Sequence, residues 1–197
     1  MPGVIRTRVG YTGGNMVNPT YYDIGDHSEA IQIDYDPRVI SYEQLLAIFW
    51  QGHNPYSQAW SRQYKAAVFY HNAEQEQRAR QSLQKIAAIN GHKVYTEILP
   101  LTEFYRAEGY HQKYMLRHHP ELMAHFEHTY PDDRDFVDST AAARINSYLA
   151  GKGSASVLLK ELESYGLPSN QREQVRGLVD YLNQNNGGGD ACGAPLN

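Results

Sequence analysis

A carboxylate, a lone thiol, a run of histidines and a large stock of phenols are the groups here that could do chemistry. Glu29 opens an apolar stretch, Glu29-Ala30-Ile31, just beyond a Gly-rich turn. A carboxyl half-buried among such neighbours has a raised pKa, because desolvation disfavours its charged form. It can then give up a proton at neutral pH. By composition alone Glu29 would read as an ordinary exposed strand-end residue. Cys192 is the only cysteine, set in Gly187-Gly188-Gly189-Asp190-Ala191-Cys192-Gly193. That Gly-rich tail is flexible enough to carry a thiol to a partner, and an idle tail thiol is the equal alternative. Tyrosine occurs 16 times in 197 residues. It joins an apolar ring to a hydroxyl, so it suits half-buried surfaces and aromatic-lined pockets. His111, His118, His119, His125 and His128 form a histidine-rich stretch. His125 and His128 are three apart and could share a helix face as metal ligands. No cysteine and no clear carboxylate partner stands at ligand spacing, so solvated histidines, and no metal, are expected. Gly10, Gly13 and Gly14 flank Tyr11. A phosphate cradle is one reading of that run, but neither a lysine nor a helix start follows. A tight turn with positive φ at Gly13 and Gly14 fits better.

These groups need elements to position them. Val4 to Val9 alternates as a strand and stops at the glycines. Ala30 to Tyr35 alternates again, ends at Asp36-Pro37, and is expected to pair with the first strand. Ser41 reads as a helix N-cap with Gln44 as its capping-box partner. That helix sends Leu45, Leu46, Ile48, Phe49 and Trp50 toward a core. A loop from Gly52 to Ser61 leads to a buried strand, Ala66–Tyr70. Asn72 caps a long helix to about Ile89, stopped by Asn90-Gly91, and Thr96–Leu99 is a short strand before Pro100. The order β, β, α, β, α, β is an α+β layout with one core.

From about Asp138 the periodicity turns helical. Ala141, Ile145, Tyr148 and Leu149 share a face, with Gly151 closing the run. Val157, Leu158, Leu162 and Tyr165 repeat it up to Gly166. Ser169 then opens a third stretch carrying Val175, Leu178, Val179 and Leu182. The expected organisation is a main domain over 1–130, a three-helix appendage over 138–185 and a flexible tail over 186–197.

Composition excludes several classes. There are 18 basic and 22 acidic residues, net −4, and no Lys/Arg stripe, so no nucleic acid is expected. No apolar run approaches a membrane span, and MPGVIRTRVG lacks the charged-then-apolar layout of a secretory signal. One cysteine cannot build an internal disulfide framework. A reducing, cytoplasmic setting and a monomer are the expectations.

The ordered blocks Val9-Gly10-Tyr11-Thr12-Gly13-Gly14, Asn18-Pro19-Thr20-Tyr21, His27-Ser28-Glu29-Ala30, Tyr35-Asp36-Pro37 and Ile40-Ser41-Tyr42 are informative together. So are Arg62-Gln63-Tyr64, Thr96-Glu97-Ile98, Phe104-Tyr105 and Tyr110-His111-Gln112-Lys113-Tyr114. Over roughly residues 3 to 115 they resemble the peptide methionine sulfoxide reductase A family, and many blocks at matching spacing are far more specific than one glycine motif. The resemblance implies a ferredoxin-like α+β sandwich. It implies reduction of methionine-S-sulfoxide, free or in proteins, to methionine. No bound cofactor is implied; the reductant would be thioredoxin, or dithiothreitol in vitro.

The family pattern also assigns roles. Glu29 would be the proton donor, and Tyr11 and Tyr64 the ligands of the sulfoxide oxygen, two phenols stabilising charge in a dry pocket. Gly13 and Gly14 would shape the turn beside the site. Trp60 would wall the S-methyl group, with a surface anchor for its loop as the equal alternative. Cys192 would resolve the oxidised nucleophile as a disulfide that thioredoxin reduces.

Two departures stand out. The family's catalytic Gly-Cys-Phe-Trp-Gly segment, with its first strand and helix, is expected upstream of Pro2-Gly3-Val4 and is not in this sequence. A start upstream, with a cysteine or selenocysteine nucleophile, is the favoured explanation; a non-catalytic paralogue that binds oxidised methionine is the other. Second, the family's Asp before the Gln-Tyr pair is replaced by Ala59, within Ser57-Gln58-Ala59-Trp60-Ser61.

Overall fold

The computed structural model describes residues 1–152 and 155–185. Two strands come first, β1 (Val4–Thr12) and β2 (Ser28–Tyr35). Helix α1 (Tyr42–Gln51), strand β3 (Ala67–Tyr70), helix α2 (Ala73–Asn90) and strands β4 (Glu97–Pro100) and β5 (Phe104–Arg106) follow. Helices α3 (Tyr114–Arg117), α4 (Pro120–Thr129), α5 (Asp133–Asp138), α6 (Thr140–Leu149), α7 (Ala155–Glu161) and α8 (Ser169–Asn185) complete the described chain. The α+β class holds. The strands form two small sheets, a three-stranded one ordered β2-β1-β5 and a parallel pair β3-β4.

β1 has a neighbour on each edge, and β2 is one of them, as the alternation predicts. The other is β5, antiparallel, with Gly10 opposite Arg106, Tyr11 opposite Tyr105 and Thr12 opposite Phe104. Gly10 has a packing reason to be glycine. A Cβ there would lie 2.2 Å from the Tyr105 carbonyl oxygen and 2.6 Å from Phe104 Cζ.

The capped helices form for local reasons. Ser41 Oγ accepts the Gln44 N–H at 3.2 Å and Gln44 Oε1 accepts the Ser41 N–H at 2.8 Å, a complete capping box. Asn72 Oδ1 accepts the Gln75 N–H at 2.9 Å, and Gly91, at φ 65°, ends α2. Leu46, Trp50, Ala79 and Ile98 are buried together between α1, α2 and the β3-β4 pair. Trp50 keeps its indole N–H satisfied by donating to Ser82 Oγ at 2.9 Å.

The chain divides into two compact units. One holds Met1–Arg8, Ile33–Tyr35 and the described residues from Gly109 on; the other holds Val9–Gln32 and Asp36–Glu108. The expected single core is two clusters. The second is helical and starts before Asp138: Leu116, Leu122, Met123, Phe126 and Phe136 share it with Ile145, Leu149, Leu158, Leu162 and Val175. Within this unit Arg8 donates to Asp138 at 2.7 and 3.0 Å and to Asp34 at 3.3 Å. Its pKa is raised, chiefly by the Asp138 hydrogen bond. His125 and His128 stand on α4. Burial, then the charge of His128, lowers the His125 pKa.

Among the described residues no helix is long and apolar enough to cross a membrane. Gly10→Ala should cost about 1–3 kcal/mol, the usual penalty of overpacking, read as a lower urea midpoint at unchanged m-value.

Candidate active site

The candidate residues sit in two sets in the unit that holds Val9–Gln32 and Asp36–Glu108. The first is built on the start of β2. Ser28, 1% exposed, donates its hydroxyl to the Arg62 carbonyl at 2.8 Å. The Glu29 N–H donates to the Gln63 carbonyl at 3.0 Å, and Gln63 Nε2 donates to Glu29 Oε1 at 2.7 Å. Two backbone carbonyls and one side chain of Arg62-Gln63 are therefore fastened to β2. Lys65 holds the far side through Glu97 Oε2 on β4, at 3.0 Å. Tyr64 follows Gln63 in the chain and lies between these anchors. The Trp60 ring leans on the Tyr64 ring, centroids 5.0 Å apart and planes at 37°.

This set is open to water. Trp60 is 83% exposed and Tyr64 46%. Glu29 is also exposed, so the half-burial expected of it is corrected. The reason is geometric: Ser28, not Glu29, points inward at the first turn of the alternation.

The second set surrounds Tyr11, which is 2% exposed. Its hydroxyl donates to Glu108 Oε2 at 2.7 Å, and Glu108 Oε1 accepts the Tyr21 backbone N–H at 2.9 Å. Sequence reasoning missed Glu108. It lies in Phe104-Tyr105-Arg106-Ala107-Glu108, between two blocks of the family pattern. Only the pairing of β5 with β1 brings it to Tyr11.

The loop between β1 and β2 is shaped from within. Gly13 has φ +80°, and a Cβ there would meet the Phe69 ring at 2.6 Å, so glycine is required twice over. At Gly14 a Cβ would fall 2.4 Å from Asp26 Oδ1 and 2.7 Å from the His27 nitrogen. Only Gly13 has the positive φ expected of both. Buried His27 accepts the Gly14 N–H on Nδ1 at 3.1 Å, leaving Nε2 to donate to the Met16 carbonyl at 2.8 Å. Asp26 accepts the N–H groups of Asn15 at 2.7 Å and Met16 at 3.1 Å. Those backbone bonds, Asn15 first, hold its carboxyl at about 2, below the usual range.

Cys192 lies outside the described residues. Among the described residues no group of three or more His, Cys, Asp or Glu side chains could hold a metal.

The model of the family described as "Peptide methionine sulfoxide reductase" matches residues 1–144. The chain belongs to this family. Reduction of methionine sulfoxide is the activity that the family's description names. A peptide methionine sulfoxide reductase of Drosophila melanogaster is 38% identical over 192 residues, covering 96% of this chain and 76% of the relative. That match runs through the helical segment as well. One from Brassica napus is 41% identical over 128 residues, covering 59% of this chain and 49% of the relative. The chain thus spans about half the length of that plant reductase. Among solved structures, methionine sulfoxide reductase A of Corynebacterium diphtheriae is 34% identical with a TM-score of 0.52, covering 58% of this chain and 64% of that one.

The loop fastening has a pH signature. The Asp26 pKa is depressed by folding, so its stabilising bonds are complete above the ordinary Asp value of 3.8 and are lost as pH falls toward about 2. NMR signals of the Asn15 and Met16 amides should move together in that window, and Asp26→Asn should abolish the movement.

Proposed function

We propose that this chain carries the oxygen-handling part of a peptide-methionine (S)-S-oxide reductase site. Glu29 is the proton donor, Tyr11 and Tyr64 ligate the sulfoxide oxygen, and Trp60 packs on the S-methyl group. What carries this reading is the fastening of Arg62-Gln63 to β2. It ties the Glu29 carboxylate to Gln63, the residue before Tyr64, whose ring meets the exposed Trp60 indole.

The chemistry asks for that grouping. A thiol or selenol attacks the sulfur, the S–O bond breaks, and the oxygen passes to the nucleophile as sulfenic or selenenic acid. The sulfide leaves as methionine, having gained the two electrons that the nucleophile lost. The sulfoxide oxygen must be protonated on the way, because it is a poor leaving group as an oxide. Phenol hydroxyls aimed at it stabilise the charge it gathers. An indole that accepts only the methyl side separates the two epimers by shape. Glu29 is exposed, so an incoming sulfoxide can reach its carboxyl. A second thiol then condenses with the oxidised nucleophile, releasing water, and a dithiol such as thioredoxin reduces the resulting bond. Cys192 is the candidate for that second thiol.

The test is turnover of a peptide methionine-S-sulfoxide with dithiothreitol, in this chain and in a form engineered to carry a thiol- or selenol-bearing segment ahead of Met1. Glu29→Gln should lower the rate about 10²–10⁴-fold, the contribution of a positioned general acid. A full rate in Glu29→Gln, or equal reduction of both epimers, would overturn the proposal.

A further inference from the structure

The Tyr11 hydroxyl has one hydrogen, and Glu108 holds it. The O–H donates to Glu108 Oε2 at 2.7 Å. A carboxylate only accepts, and a phenol has a single O–H to give. While this bond stands, Tyr11 presents lone pairs to any other oxygen. A sulfoxide oxygen is itself an acceptor, so it needs the hydrogen that Glu108 holds.

We propose that Glu108 is a positioning residue that keeps the Tyr11 hydroxyl in reserve, and that a bound sulfoxide oxygen takes it over. This rests on Tyr11 being an oxygen ligand, as argued above. The surroundings suit such an exchange. The Ala107 N–H donates to the Val9 carbonyl at 3.0 Å, and Tyr105 stands opposite Tyr11 across the β1-β5 pair. Both side chains therefore leave backbone that is pinned, and only the hydroxyl has to turn. Glu108 keeps the Tyr21 N–H on its other oxygen, at 2.9 Å, so the carboxylate retains a donor when the phenol turns away. The sulfide product has no oxygen to compete, so the hydroxyl returns to Glu108. The pair thereby separates substrate from product at one hydrogen bond.

Glu108→Gln tests this in the full chain. The amide oxygen can still accept from Tyr21, while the amide nitrogen donates to the phenol oxygen and frees the O–H. Calorimetric titration with N-acetyl-methionine-(S)-sulfoxide amide should show binding about tenfold tighter, on the order of one hydrogen bond to a charged group. Binding of the corresponding sulfide should not change. In the wild type the Tyr21 amide NMR signal should shift on adding sulfoxide and stay still on adding sulfide. Tyr11→Phe should weaken sulfoxide binding alone. If Tyr11→Phe weakens it but Glu108→Gln does nothing, or alters sulfoxide and sulfide equally, the inference falls and the site reading stands. If Tyr11→Phe binds sulfoxide like the wild type, or the wild type binds none, both fall.

Discussion

Strand β1 is hydrogen-bonded along both edges, and the candidate site depends on that constraint. A strand paired on both sides cannot slip by one residue without exchanging every side chain between its faces. Register against β5 is what sets Tyr11 against Tyr105 and lets the chain beyond it deliver Glu108. The close approach at Gly10 reinforces the register, because only a residue without Cβ lets the Tyr105 carbonyl come so near. On the other edge lies β2, whose first residues fasten Arg62-Gln63 and so hold Tyr64 and Trp60.

The elements readable in the sequence are those whose signals are local. Ser41 with Gln44, Asn72, and Gly91 each announce a helix boundary within a few residues, and the structure puts each at the boundary expected of it. The alternation in β1 and β2 is equally local. What could not be read is short or depends on distant partners. β5 has three residues and α3 four, too few for any period to show. α4 and α5 did leave marks, Pro120 in the first turn and Asp132 as a cap, but their apolar residues join a core shared with helices far along the chain.

The site was legible in kind and less so in environment. Residue types in family-like blocks pointed to Tyr11, Glu29 and Tyr64. Burial is a property of the whole fold, and it reversed the expectation at Glu29. The inward position there belongs to Ser28, whose hydroxyl has a carbonyl to satisfy it, whereas a carboxylate in that place would need donors that Arg62 O cannot offer. Glu108 escaped notice because its partner is on another strand, and no spacing rule within one segment reveals such a pair.

The loop from Gly13 to His27 is fixed at its base and bare at its crown. Gly14, Asn15, Met16, Asp26 and His27 tie the base together through backbone bonds, while Val17 is 70% exposed and Tyr22 89%. Ordering of the base is completed during folding, so no entropy is charged for it when a substrate arrives. Within the crown the Tyr21 N–H still reaches Glu108, but the Val17 and Tyr22 side chains face solvent. Those two can therefore change over evolutionary time without disturbing the bond between Glu108 and Tyr11.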